Sequence, residues 1–146
     1  MHPNMAYKNN HRKFAVVINR SHPMNVIMNA VAHVAFGLSH KSKADSAVMT
    51  YVHQATGFDA RISEFPFIVL ETHNSGQLAS LLLRARADEA VSYNVFTASM
   101  IGPSADAQIS NTSNADSASL DYVVVLLFGD RERVDPLTKK YSLFKE

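Results

Sequence analysis

Lys13-Phe14-Ala15-Val16-Val17-Ile18-Asn19 near the start of the chain and Tyr122-Val123-Val124-Val125-Leu126-Leu127-Phe128-Gly129 near its close decide the fold. Both runs are apolar at alternate and intervening positions alike, the pattern of a strand covered on both faces at the centre of an α/β sheet. The two segments are therefore expected to lie near each other in one core. A chain of 146 residues with 47% hydrophobic content is long enough for one such core. Residues 13–146 read as one domain, and the polar residues 1–12 read as a disordered leader.

Working outward from the first run, Arg20-Ser21-His22-Pro23 should open a helix, because proline suits a first helical turn where its missing donor would be unsatisfied anyway. Across residues 23–38, Ile27, Val31, Val34, Ala35 and Leu38 form one apolar stripe, and Met28, Ala32 and Phe36 widen it, so the helix is expected to be largely buried. Asn25, Asn29 and His33 make a polar row at four-residue steps. Ala47 to Val52 reads as a strand followed by a loop through Gly57. Phe65-Pro66-Phe67-Ile68-Val69-Leu70 reads as a further buried strand with Pro66 at its start.

Asn74 or Ser75 should cap the next helix, with Asn74 and Gln77 at capping-box spacing and Leu78, Leu81, Leu82 and Ala85 facing inward. Val91 to Phe96 alternates as a strand that flanks the central pair. Residues 103–119 carry little apolar surface and read as a mobile loop or a frayed surface helix. After Gly129, Asp130 is the natural cap of a helix that Pro136 must keep short or bend.

Composition narrows the function. A formal net charge of +1 lacks the basic excess that drives salt-sensitive nucleic-acid binding. The absence of cysteine removes disulfides, thiolate metal sites and cysteine nucleophiles, and a reducing cytoplasm fits such a chain. The first residues hold no secretory signal and no apolar run approaches the roughly 20 residues of a membrane span, so a soluble protein is expected. Five glycines in the whole chain argue against a glycine-rich dinucleotide or phosphate loop. The seven histidines show no paired metal-ligand spacing, and neither a metal nor a cofactor is expected.

The opening strand, the helix Asn29-Ala30-Val31-Ala32-His33-Val34-Ala35-Phe36-Gly37-Leu38, the phrase Phe65 to Leu70 and the closing Val134-Asp135-Pro136-Leu137-Thr138-Lys139-Lys140-Tyr141-Ser142-Leu143-Phe144 resemble, in order and spacing, the domain of unknown function 2000 family. That family is similar to the type II peptidyl-tRNA hydrolases. The resemblance implies a three-layer α/β/α fold with a mixed, mainly four-stranded sheet whose first and last strands are central, and a homodimer. A tRNA partner enters through this resemblance alone. The lysines it implies on the first turn fall near Met24 and Val26, and the acidic residue after the third strand falls at Val95, so the usual hydrolase groups are missing.

Ligands of open α/β sheets lie beyond the carboxyl ends of strands. That rim is expected to include Asn19, Arg20, Ser21, His22, Asn25 and the turn from Gly129 to Arg131, with the hydroxyls of Thr97 and Ser99 reaching a shared cleft. His33 matches a histidine of the hydrolase helix, and Asn29 could orient it as a general base. The other reading is a half-buried packing histidine bonded to a carbonyl or to Asn29. The expected function is the binding of a small or acylated ligand at the strand ends, through Arg20, Ser21, His22, Asn25 and Thr97. Any chemistry would fall to His33 and Asn29. A non-catalytic homodimeric module and an aminoacyl- or peptidyl-ester hydrolase are the alternatives.

Overall fold

A computed structural model describes residues 11–42 and 47–145. Strand β1 (Arg12–Asn19) leads into α1 (Met24–Lys41), a hairpin of β2 (Val48–Val52) and β3 (Asp59–Ser63), then β4 (Phe67–Thr72) and α2 (Ser75–Arg86). Strand β5 (Ser92–Thr97), α3 (Ala105–Asn114), β6 (Tyr122–Asp130), α4 (Arg131–Thr138) and β7 (Ser142–Leu143) complete the chain. The main sheet has the order β5-β6-β1-β4-β7. β1 runs parallel to β4 and antiparallel to β6, so the sheet is mixed and its centre is formed by the two apolar runs.

Both central strands are covered on both faces. Phe14, Val16 and Ile18 of β1, with Val124, Leu126 and Phe128 of β6, pack against Ile27, Ala30, Val34 and Leu38 of α1. The alternate residues Ala15, Val17, Val125 and Leu127 pack against Leu78, Leu81 and Ala85 of α2 and Val134 of α4. This is why neither strand shows polar alternation.

Several expectations change. To the mainly four-stranded sheet that was expected the structure adds a two-residue edge, because Ser142 and Leu143 pair with Glu71 and Leu70 of β4. Only two residues of that tail are extended, too short a run to carry a strand pattern in sequence. β1 begins at Arg12, one residue inside the stretch expected as a leader, and the His11 carbonyl already accepts from Arg131 N. Residues 1–10 lie outside the described residues. Helix α1 buries a single stripe, and Met28, Ala32 and Phe36 face water. A helix resting on one sheet face covers only the side turned to that sheet. The segment after Val52 does turn through Gly57, at φ 79°, a conformation glycine adopts without steric cost, but it returns as the second arm of a hairpin.

The capping signals hold in part. Asn74 caps α2, its side chain accepting from Gly76 N and Gln77 N, whereas the Gln77 side chain accepts from Thr72 Oγ1 at 2.5 Å and closes no capping box. Asp130 precedes α4 but pairs with Arg12 at 3.7 Å, and its side chain makes no cap hydrogen bond. Helix α4 is eight residues long with Pro136 in its last turn, short as expected.

Leu126 is fully buried between the layers. Leu126→Ala should cost about 2–5 kcal/mol in a denaturant titration, through lost burial and a residual cavity. Leu83→Ala, on the exposed face of α2, should stay within about 0.5 kcal/mol.

Tyr141 gives a pH prediction. Its hydroxyl donates to the Gln77 carbonyl at 3.2 Å, and burial pushes its pKa above the ordinary tyrosine value, opposed by Arg84. The unfolded chain therefore releases this proton first as pH rises past the ordinary value, and stability should fall there. In denaturant midpoints followed into alkali, Tyr141→Phe should decline less steeply than the wild type.

Candidate functional site

β1 and β4 end side by side at Asn19 and Thr72. Asn19 is fully buried. Its Nδ2 donates to the Tyr122 carbonyl at 2.9 Å, and its Oδ1 accepts from Ser21 N at 3.0 Å and Ser21 Oγ at 2.7 Å. One amide thus ties the end of β1 to the start of β6 and shapes the turn into α1. The Ser21 hydroxyl is spent on that turn. Arg20 pairs with Glu71 at 2.7 Å and lies 4.9 Å over the Phe144 ring, so its charge is compensated and partly covered. His22 Nε2 meets Asp121 Oδ1 at 3.0 Å, and Asn25 is exposed on the first turn of α1.

The rim differs from the sequence expectation in one respect. Because β6 is antiparallel to β1, the turn from Gly129 to Arg131 lies at the opposite end of the sheet, with Arg12 against Asp130. The segment that joins Asn19 is the start of β6, at Asp121 and Tyr122. Hydrophobic pattern carries no strand direction, so it does not say which end of β6 stands beside Asn19.

Thr97 is buried at the end of β5. Its Oγ1 lies 2.6 Å from Ser99 Oγ, which lies 2.9 Å from Thr112 Oγ1, and Thr112 donates to the Gln108 carbonyl at 2.8 Å. This hydroxyl chain ends on a carbonyl, not on a base. It pins α3 to the end of β5. Between them opens a groove of about 510 Å³, within the usual range of small-molecule sites. Val34, Val95, Phe96, Met100 and Ile109 supply its apolar walls, with His33, Asn94, Gln108 and Thr112 among its polar groups.

Most of those polar groups already have partners. Asn94 Nδ2 donates to the Val34 carbonyl at 3.1 Å, and Gln108 Nε2 to the Gly102 carbonyl at 3.0 Å. His33 and Ser113 are exceptions, and of the two His33 carries the ring. It is exposed, tilted against Phe96 with ring centroids 6.3 Å apart, and finds no hydrogen-bond partner among the described residues. Among the described residues it shares no hydrogen bond with Asn29, the partner expected either to orient it as a base or to hold it in a packing role. The groove brings His33 together with Thr112, the far hydroxyl of the chain that starts at Thr97; its lining includes none of Thr97, Arg20, Ser21, His22 or Asn25.

A family model described as protein of unknown function DUF2000 matches residues 12–145. The chain belongs to this DUF2000 family. The fold is similar to that of the protein of unknown function Atu0240 from Agrobacterium tumefaciens strain C58, with a TM-score of 0.79 and 19% identity over 94% of this chain and 100% of that one. No curated protein matches the sequence. Among the described residues this DUF2000 chain has no group of three or more metal-ligating side chains, and no helix long and apolar enough to cross a membrane.

Asn19 is the polar group on which this end of the DUF2000 domain depends. Asn19→Ala should destabilise by about 2–3 kcal/mol, because it leaves the Tyr122 carbonyl and the Ser21 donors short of a partner. Asn19→Asp should cost more, since it sets a carboxylate against that carbonyl, while Ser21→Ala should cost about 1 kcal/mol. Thermal and denaturant unfolding of the three variants check the order.

Proposed function

We propose that this DUF2000 domain binds a small, largely apolar or acylated molecule in the groove between α1, β5 and α3, and acts as a binding module and not as a hydrolase. The groove carries the proposal: an apolar trough of about 510 Å³ whose wall residue Ile109 is 69% exposed, beside His33, a polar group with unused bonding capacity. An alkyl or acyl chain would cover Ile109, Met100 and Phe96, and a carbonyl or hydroxyl of the ligand would meet the His33 ring. Covering such apolar surface is the main favourable term in binding of this kind.

Hydrolysis is the less favoured reading. A general base needs a group that fixes its tautomer, and a hydroxyl nucleophile needs an adjacent base. Here the hydroxyls of Thr97, Ser99 and Thr112 bond to one another. Val95, where the resemblance to peptidyl-tRNA hydrolases implies an acid, stands in the groove as an apolar wall. Helices on both faces and the central β1–β6 pair support a hydrolase-like architecture. Arg20 is neutralised by Glu71, which disfavours a tRNA phosphate at the strand ends. Arg20, Ser21, His22 and Asn25 then serve mainly to hold the turn into α1. A cytoplasmic setting belongs to the same proposal.

Titration with octanoate and an octanoyl ester, followed by amide chemical shifts, tests it. The expected shifts cluster at His33, Phe96, Ile109 and Thr112, and Ile109→Arg weakens binding at least tenfold. Shifts confined to residues 19–25 would move the ligand to the strand-end rim. Ester turnover that disappears in His33→Ala with an unchanged melting temperature would establish the hydrolase instead.

A further inference from the structure

The hairpin of β2 and β3 forms a sheet of its own, and among the described residues β2 pairs only with β3. Two strands alone are marginal in water, and more strands or packing against a helix are needed for independent stability. Yet Val48, Tyr51, Val52, Phe58 and Ile62 of this hairpin leave between 48% and 59% of their surface exposed. The pairing shows which way its backbone points. Ala47 opposes Glu64 and His53 opposes Phe58 through backbone hydrogen bonds, so Met49 and Tyr51 bond inward to β3, while the N–H and C=O groups of Val48, Thr50 and Val52 face the open edge.

Among the described residues no strand covers that edge, and Val48 to Val52 has no charge, no proline and no bulge. The main sheet treats its own β5 edge differently. There Lys41 Nζ donates to the Tyr93 carbonyl at 2.7 Å, and the Val95 N–H is occupied by the Asn94 side chain at 3.0 Å.

We propose that β2 is a homodimer interface, in which the strand pairs antiparallel with β2 of a second copy about a two-fold axis at Thr50. The occupant follows from the strand itself, which is self-complementary in kind. About Thr50, Val48 stands opposite Val52 of the other copy, Met49 opposite Tyr51, and Thr50 opposite Thr50. Each match is a favourable cross-strand pair: two β-branched residues, a thioether against a ring, and two hydroxyls. Every open N–H and C=O of Val48, Thr50 and Val52 finds a partner. The product is a four-stranded sheet of order β3-β2-β2-β3, and one of its faces joins Met49, Tyr51, Ala60 and Ile62 from both copies. Its outer edges are the β3 strands, which carry Asp59 and Arg61 and so stop further addition. This interface does not depend on ligand binding in the α1–α3 groove.

The test uses the full chain at roughly 100 μM, where even a weak interface registers. Light scattering should give twice the 16.1 kDa chain mass. Thr50→Asp should be monomeric, with Kd raised at least tenfold, because two carboxylates face each other on the axis; within the hairpin the new carboxylate lies opposite Arg61, so the hairpin and the circular dichroism spectrum persist. The chain has no cysteine of its own, so Thr50→Cys should oxidise to a covalent dimer, its two α-carbons about 5.5 Å apart in such a pair. Val52→Cys should not, since its two copies stand roughly 13 Å apart along the strands. A monomeric wild type overturns the proposal. So does a dimer that survives Thr50→Asp, or one that cross-links equally through Val52→Cys.

Discussion

The antiparallel pairing of β1 with β6 is the constraint on which the rest of the molecule depends. It joins residues more than a hundred positions apart, sets Val16 against Leu126, and gives both helix layers a surface to cover. The loop-closure cost of such a contact grows only slowly with length, while the apolar area it removes from water is large. Asn19 completes the pairing at its polar end, where β1 must stop and turn. Its amide satisfies a β6 carbonyl and two donors of the following turn at once. A hydrophobic side chain there would leave buried backbone groups unpaired.

The same pairing decides which end of the sheet carries which groups. With β6 reversed, the polar groups at the carboxyl end of β1 are bound into pairs, Arg20 with Glu71 and His22 with Asp121. The larger apolar groove lies elsewhere, where α3 rests on the end of β5 without a buried residue of its own. Hydroxyl groups hold that helix in place. Its exposed Ile109 and the exposed His33 face a trough that folding alone leaves open.

Much of the fold was legible because its centre is so apolar. Val123 to Leu127 could hardly be anything but a doubly covered strand, and Asn74 and Pro136 marked the start and the limit of their helices. Direction was not legible. Hydrophobicity is a scalar along the chain, so Gly129 to Arg131 was grouped with Asn19 although the two sit at opposite ends. β7 was hidden because two residues cannot show a period, and β3 because Asp59 and Arg61 make it read as loop. The site was half visible. His33 and Thr97 carry recognisable chemistry, but the groove beside them is formed by Ile109 and Met100, ordinary apolar residues that acquire meaning only when α3 is placed over β5.

Native-state hydrogen exchange of individual amides measures the central dependence directly. The amides of Val16, Val17, Val124 and Val125 should exchange only through global unfolding, all with one free energy equal to that from denaturant titration, while α3 opens locally at a much lower one. Distinct free energies for β1 and β6, or α3 protected as strongly as they are, would contradict the account.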